Sequence, residues 1–341
     1  MTRSRLLFAA LTLALLAVTA CGGASDSTSG GSSTEKGSSS LSLVAYSTPQ
    51  VVYDEIMPDF QKTGDGEGVG FKSSFGASGE QSRAVEAGLK ADVVSFSIEP
   101  DMTRLVDVGL VGKDWASTPT KGLVTTSVVS FIVREGNPKN IKTWDDLVKP
   151  GVEVLTPNPF TSGAAKWNLL AGYGAKSDGG KNPEAGLSYL RKLITNNVKV
   201  QDKSGREALQ TFTAGTGDVL LSYEYEATTA RKKGEELDYV IPDDTIDIEI
   251  TLARTEKAVP AAQKFIDYVL SEPGQERFAD WGYRPVNEAV FEANKSRFPE
   301  PSGLFTIRDL GGWSKVNDEL FDPEKGSVAK IEEEAGVSTA S

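Results

Sequence analysis

The 341-residue chain has no histidine, one cysteine and three methionines. Without an imidazole, a Ser-His-Asp hydrolase is excluded and the commonest transition-metal ligand is missing. A single cysteine rules out a disulfide framework within the chain and a cysteine-built metal cage. Beyond the N-terminal segment, no apolar run is long enough to cross a bilayer. Positive charge is also scarce, since 36 Lys and Arg face 48 Asp and Glu for a formal net charge of −12. Nucleic acid and anionic head groups are therefore poor partners. A small anion would have to be attracted by locally oriented dipoles, because the overall field repels it.

The N-terminus reads as an address. Arg3 and Arg5 precede an apolar run over 6–17, too short for a membrane span, so residues 1–20 are expected to be a signal peptide. The run ends in Val18-Thr19-Ala20-Cys21, small residues before the lone cysteine, as a lipoprotein signal peptidase requires. Cys21 is expected to be the lipidated mature N-terminus rather than a stray thiol in an oxidising compartment. Residues 21–40, nearly all Gly, Ser, Thr and Ala, read as a flexible tether. The expected location is extracytoplasmic, on the outer face of the cell membrane, with contact to the membrane only through the lipid.

From residue 41, β-branched runs alternate with helical patterns, the signature of an α/β protein built on parallel strands. Strands are expected at 41–45, 69–73, 93–96, 128–134, 152–155, 198–200, 219–223 and 246–252. Helices are expected at 51–60, 79–89, 163–175, 183–194, 206–212, 261–270 and 273–281. The late return of the chain suggests two lobes with a ligand cleft between them: 41–125 with 248–341, and 126–247.

Three expected strand-to-helix junctions place glycine and a hydroxyl at a helix start: Gly76-Ala77-Ser78-Gly79, Thr161-Ser162-Gly163-Ala164 and Lys203-Ser204-Gly205-Arg206. Unpaired N–H groups and the positive end of the helix dipole make such starts anion sites. Ser78 with Gln81, and Ser204 with Glu207, also fit the capping-box spacing of any helix. Lys166 follows Ser162 by one helical turn, so a Ser-Lys nucleophile is an alternative on spacing. The run Tyr223-Glu224-Tyr225-Glu226 offers oxygen ligands for ferric ion, but on a strand its tyrosines and glutamates would face opposite sides. The residues alone lead to a binder of small anions.

The sequence resembles the sulfate-binding proteins of sulfate/thiosulfate ABC importers, especially actinobacterial lipoprotein members. The likeness rests on Ser78-Gly79-Glu80-Gln81-Ser82-Arg83, Gly136-Asn137-Pro138-Lys139, Trp144-Asp145-Asp146-Leu147, Thr156-Pro157-Asn158-Pro159, Ser162-Gly163-Ala164-Ala165-Lys166-Trp167-Asn168, Gly217-Asp218-Val219-Leu220, Gly282-Tyr283-Arg284-Pro285 and Leu310-Gly311-Gly312-Trp313. It implies a two-lobed type II periplasmic-binding-protein fold that holds dehydrated sulfate by hydroxyls and backbone N–H groups. It implies no enzyme activity and no cofactor. Carried over, the contacts are Ser78, Ser162, Gly163, Ala164, Gly205 and Tyr223, with no cationic side chain on the ion. Arg83, Arg206 and Arg284 are expected to make structural ion pairs instead.

The sequence departs from the family pattern at Ala164, where a second glycine is usual, at Gly205, where alanine is usual, and at Ser47, where aspartate is common. Tyr223 replaces a tryptophan, and a phenol can accept as well as donate a hydrogen bond. Thiosulfate, molybdate and phosphate therefore stay open beside sulfate, with ferric ion a remoter choice. The implied partners are the permease subunits of an ABC importer, and the chain is expected to be a monomer. A surface lipoprotein that senses or scaffolds with the same cleft is the rival from another class.

Overall fold

The computed structural model describes residues 39–340. The expected signal peptide and Cys21, with most of the tether, lie outside the described residues. Strand β1 (Ser39–Tyr46) takes in Ser39 and Ser40, which composition alone assigns to the tether.

Six strands run in two parallel sets. β1 lies between β2 (Val69–Gly76) and β3 (Val93–Phe96). Two long strands, β4 (Leu123–Arg134) and β9 (Asp244–Arg254), connect this set to the second, in which β5 (Val154–Pro157) lies between β6 (Val198–Asp202) and β7 (Val219–Tyr223). The resulting order is β2-β1-β3-β9-β4-β7-β5-β6. β4 serves both halves: its part from Leu123 to Val128 pairs with β9, and its part from Val129 onward pairs with β7 and with β8 (Leu237–Val240). Short β10 (Arg284–Pro285) pairs with β4, and β11 (Gly303–Phe305) pairs with β9.

The parallel strands read as near-continuous apolar runs, VVSF in β3 and VLLSY in β7, each interrupted by one buried serine, because helices cover both of their faces. In the first half, α2 (Ser78–Glu86) and α3 (Glu99–Asp107) bring Val85, Met102 and Leu105 onto Val94 and Phe96. Opposite them, Tyr53 and Phe60 of α1 (Gln50–Gln61) pack against residues from later in the chain: Phe265 of α8 (Ala261–Leu270) and Phe278 of α9 (Glu272–Asp280). In the second half, Trp167 and Leu170 of α4 (Gly163–Lys176) belong to one core with Tyr189 and Leu193 of α5 (Pro183–Asn196). Phe212 of α6 (Gly205–Thr213) and Ala227 of α7 (Glu224–Lys232) meet Leu155 and Leu220 in another. Each such buried aromatic or aliphatic side chain contributes about 1.5–3 kcal/mol. Three further helices follow: α10 (Glu288–Asn294), α11 (Gly312–Val316) and α12 (Ser327–Glu334).

β3, β7 and α8 have the limits expected from the sequence. β4 starts at Leu123 rather than 128, and β5 covers 154–157 rather than 152–155. α2 ends at Glu86 rather than 89, because Gly88 adopts a φ of 110° and Leu89 N–H turns back to the Ala84 carbonyl. Helices α3 and α7 and strand β8 were not expected. All six parallel strands end at a helix start, so the carboxyl ends of both sets present helix N-termini.

Candidate functional site

The carboxyl ends of the two strand sets meet face to face. Trp167 Nε1 of α4 donates to the Ser97 carbonyl at 2.6 Å, and Lys203 Nζ pairs with Glu80 at 2.9 Å. Thr48 and Tyr225 share a hydroxyl hydrogen bond of 2.7 Å, and an Arg206 guanidinium N–H donates to the Ser47 carbonyl. These contacts hold the halves closed on one another.

At the first helix start, Ala77 is the N-cap and Ser78 is already helical. The expected capping box therefore does not form, and Gln81 accepts from Ser74 Oγ at 2.9 Å instead. Ser78 Oγ donates to Asp101 Oδ2 at 2.6 Å and accepts from Ser97 N–H at 3.1 Å. Burial pushes the Asp101 carboxyl above the usual range; the Ser78 hydrogen bond and the charges of Lys166, Arg104 and Arg83 work against that rise.

At α4, Asn158 makes the turn out of β5, its side chain accepting from Phe160 N–H and its carbonyl from Ser162 N–H. Ser162 is the N-cap with extended backbone, yet its buried hydroxyl makes no capping hydrogen bond. A methyl group at Gly163 would fall inside contact distance of Ser97 Oγ and 3.1 Å from Ile98 Cγ2, so close approach across the halves requires glycine here. Ala164 is buried in the same first turn. Lys166 Nζ donates to Asn317 Oδ1 at 2.9 Å, not to Ser162, and burial lowers its pKa to about 8, so no Ser-Lys pair is assembled.

At α6, Ser204 is the N-cap and accepts from Glu207 N–H at 3.3 Å, while Glu207 reaches Lys203 N–H at 3.1 Å. Capping thus accounts for Ser204 and leaves the Gly205 N–H in the first turn. A methyl at Gly205 would make only ordinary contacts with Thr48 and Glu226, so the family's usual alanine would also fit.

Tyr223 ends β7 and is the N-cap of α7, so the Tyr-Glu-Tyr-Glu run is a strand end followed by a helix start, not a continuous strand. Its carboxylates are committed elsewhere. Glu224 pairs with buried Arg284 at 2.7 Å, and Glu226 accepts from Ser222 Oγ. The phenol of Tyr223 is buried, and apart from a weak side-chain hydrogen bond with Ser97 it has no partner. Burial raises its pKa well above the ordinary value, helped by neighbouring Tyr46 and eased by neighbouring Ser97.

Ser97 escapes the sequence reading because it sits just before the unexpected α3. Pro100 and the acidic pair Glu99 and Asp101 in the first turn were the available signal of that helix. Structurally, Ser97 touches much of the site: its N–H meets Ser78, its carbonyl meets Trp167, and its side chain lies against Gly163 and near Tyr223. Gly205 lies on the other flank, against Thr48 and Glu226. Cavities open on both sides of this junction. One of about 270 Å³ is lined by Arg83, Arg104, Ser162, Gly163 and Lys166, and one of about 430 Å³ by Asp54, Arg206 and Glu226. Arg284 is the structural ion pair expected of it, whereas Arg83 has no ion-pair partner among the described residues.

The family model described as bacterial extracellular solute-binding protein matches residues 41–284. The chain belongs to that family. It is 39% identical to the sulfate-binding protein of Synechococcus elongatus over 94% of its own length and 93% of the relative's. It is 36% identical to the thiosulfate-binding protein of Escherichia coli, covering 80% of this solute-binding protein and 85% of the relative. Among solved structures, the sulfate-binding protein SubI from Mycobacterium tuberculosis superposes with a TM-score of 0.80 at 46% identity, covering 82% of this chain and 98% of that one. The mixed α/β fold is accordingly that of the periplasmic binding proteins. No helix of the described residues is long and apolar enough to cross a membrane.

Proposed function

We propose that this solute-binding protein captures sulfate outside the cytoplasm and delivers it to the permease subunits of an ABC importer, without catalysis. The observation that carries this is the convergence of helix starts from both halves on the buried hydroxyls of Ser97 and Tyr223, which have no partner beyond one another. Relatives named as sulfate-binding support the choice of ion.

Dehydrated sulfate would be held by Ser162 Oγ and the N–H groups of Gly163 and Ala164 at α4, the N–H of Gly205 at α6, and the Tyr223 phenol. Ser78 would serve through its N–H, because its hydroxyl is turned to Asp101. Sulfate carries no proton near neutral pH, so donors alone satisfy it. A protonated oxyanion brings an O–H that the N–H groups cannot accept, and wherever no hydroxyl turns to take it the cost is about 1–3 kcal/mol. In this account residues 41–125 with 248–341 form one lobe and 126–247 the other, and β4 and β9 are the crossing strands. The C-terminal segment bridges them, with Gln201 of β6 donating to Glu332 of α12. Lipidation at Cys21, anchoring to the outer face of the membrane and a monomeric state complete the proposal.

A thermal-shift panel of sulfate, thiosulfate, molybdate, phosphate and ferric ion on the full chain tests it. Sulfate is expected to raise the melting temperature most. No shift with sulfate, or a shift with ferric ion alone, overturns the proposal. Loss of sulfate uptake on deletion of the gene separates transport from a sensing or scaffolding role.

A further inference from the structure

Ser97 belongs to none of the three helix starts that the sequence singled out, yet its side chain is the one polar group of the β3 to α3 junction that is left over. Its N–H and carbonyl are both used, by Ser78 and Trp167. Its hydroxyl is buried, with the residue 1% exposed, and has no partner beyond Tyr223. The Tyr223 phenol is fully buried too, close enough to Ser97 for a weak side-chain hydrogen bond between the two hydroxyls, and has no other partner. Buried polar atoms are nearly always fully paired, and two adjacent hydroxyls with only each other for a weak partner keep spare hydrogen-bonding capacity that a ligand can take up. The location agrees, since Ser97 Oγ lies against Gly163, in the first turn of α4, where the helix leaves N–H groups unpaired.

We propose that Ser97 is a ligand-contacting, selectivity-setting residue, its hydroxyl and that of Tyr223 together facing the bound oxyanion. This rests on the anion-binding reading of the cleft given above. Each hydroxyl can donate to a fully deprotonated oxygen, and each can rotate to accept from a protonated one. With both donating, sulfate is satisfied. With one accepting, a singly protonated tetrahedral anion such as hydrogen phosphate leaves no O–H stranded. The pair therefore narrows the preference for sulfate over hydrogen phosphate relative to a cleft made of donors only.

The test is calorimetry on the full chain at pH 8 with sodium sulfate and with sodium phosphate, comparing wild type with Ser97→Ala and Tyr223→Phe. Thermal melts of the same proteins without ligand run alongside. Ser97→Ala keeps the backbone bonds to Ser78 and Trp167 and removes only a weak contact with the Tyr223 phenol, so the unliganded melting temperature is expected to stay nearly level. Sulfate affinity is expected to fall about tenfold or more, as for loss of a hydrogen bond to a charged group. Phosphate affinity is expected to fall by a larger factor in both variants. Unchanged sulfate affinity in Ser97→Ala overturns the proposal while leaving the sulfate reading intact. A lowered unliganded melting temperature with unchanged affinity assigns Ser97 a purely structural part and also overturns it. Equal losses for the two anions remove the selectivity role. Wild type that binds neither anion overturns both this inference and the reading beneath it.

Discussion

The indole of Trp167 donates to the carbonyl of Ser97 at 2.6 Å, tying α4 of one half to the β3 to α3 junction of the other. Trp167 is fully buried and also packs edge-on against Trp313 of the C-terminal segment at 4.8 Å, which fixes its ring in place. Opening of the cleft would break the bond to Ser97. Trp167→Phe keeps an aromatic ring but strands a buried carbonyl, at about 1–3 kcal/mol. Because an opened cleft exposes that carbonyl to water, the penalty falls mainly on the closed state. Sulfate affinity is expected to drop roughly 5- to 150-fold, the factor that follows from about 1–3 kcal/mol. Solution scattering at a fixed sulfate concentration checks the cause, since the variant should retain a larger radius of gyration than wild type.

Ser162 separates binding from stability. An N-cap serine usually contributes about 1 kcal/mol by accepting from a helix N–H, but here that capping bond is absent. Ser162→Ala is therefore expected to leave the unliganded melting temperature nearly unchanged. Loss of one hydrogen bond to a dianion costs about 1.5–3 kcal/mol, or roughly 10- to 150-fold in affinity. Unchanged affinity by calorimetry would remove Ser162 from the site.

Gly163→Ala should split the same two observables in opposite directions. Alanine favours the helix by about 0.5–1 kcal/mol over glycine, and Gly163 has no positive φ to forbid it. Its methyl nevertheless collides with Ser97 Oγ and crowds Ile98 when the halves meet. Overpacking of this kind costs about 1–3 kcal/mol, so affinity is expected to fall roughly 5- to 150-fold while the unliganded protein melts slightly higher. Combining it with Ser97→Ala should give a loss smaller than the product of the two single effects, because the second change removes the atom that the first one strikes.

What the sequence made legible follows from how local each signal is. β3 and β7 are short apolar runs with clear ends, and α8 repeats its buried face at Ala261, Ala262, Phe265, Ile266 and Val269, so their limits match the expectation. Glycine and serine located the starts of α4 and α6 for the same reason. The failures are cases where another pattern imitates or hides the signal. Tyr223-Glu224-Tyr225-Glu226 alternates with the period of a strand, although the chain leaves the sheet at its first residue and starts a helix at its second. Ser78 fits a capping box, but Ala77 occupies the cap and Ser78 answers instead to Asp101, a partner 23 residues away that no local pattern reveals. Ser97 was hidden because its importance is tertiary, arising from the approach of Gly163 and Trp167 from the other half.

The last expectation concerns pH. Glu332 of α12 is fully buried and accepts from Gln201 Nε2 at 2.6 Å, while its second oxygen and the Gln201 carbonyl oxygen have no partner. A protonated Glu332 has an O–H to offer that second acceptor. Burial pushes its pKa up from 4.5 to about 7, with the Gln201 hydrogen bond pulling the other way. Between these values the folded chain holds a proton that the unfolded chain has released, so stability is full below about pH 4.5 and declines as pH rises toward 7. Above that the loss is constant, at about 3 kcal/mol at most. Buried Glu226 and half-buried Asp247, also pushed up to about 7, add slopes of the same sign. Glu332→Gln fixes the neutral form, so it should match wild type near pH 4 and exceed it at pH 8. Urea midpoints at pH 4, 6 and 8 read this directly, and a variant that is less stable than wild type at pH 8 would show that Glu332 is held as a carboxylate after all.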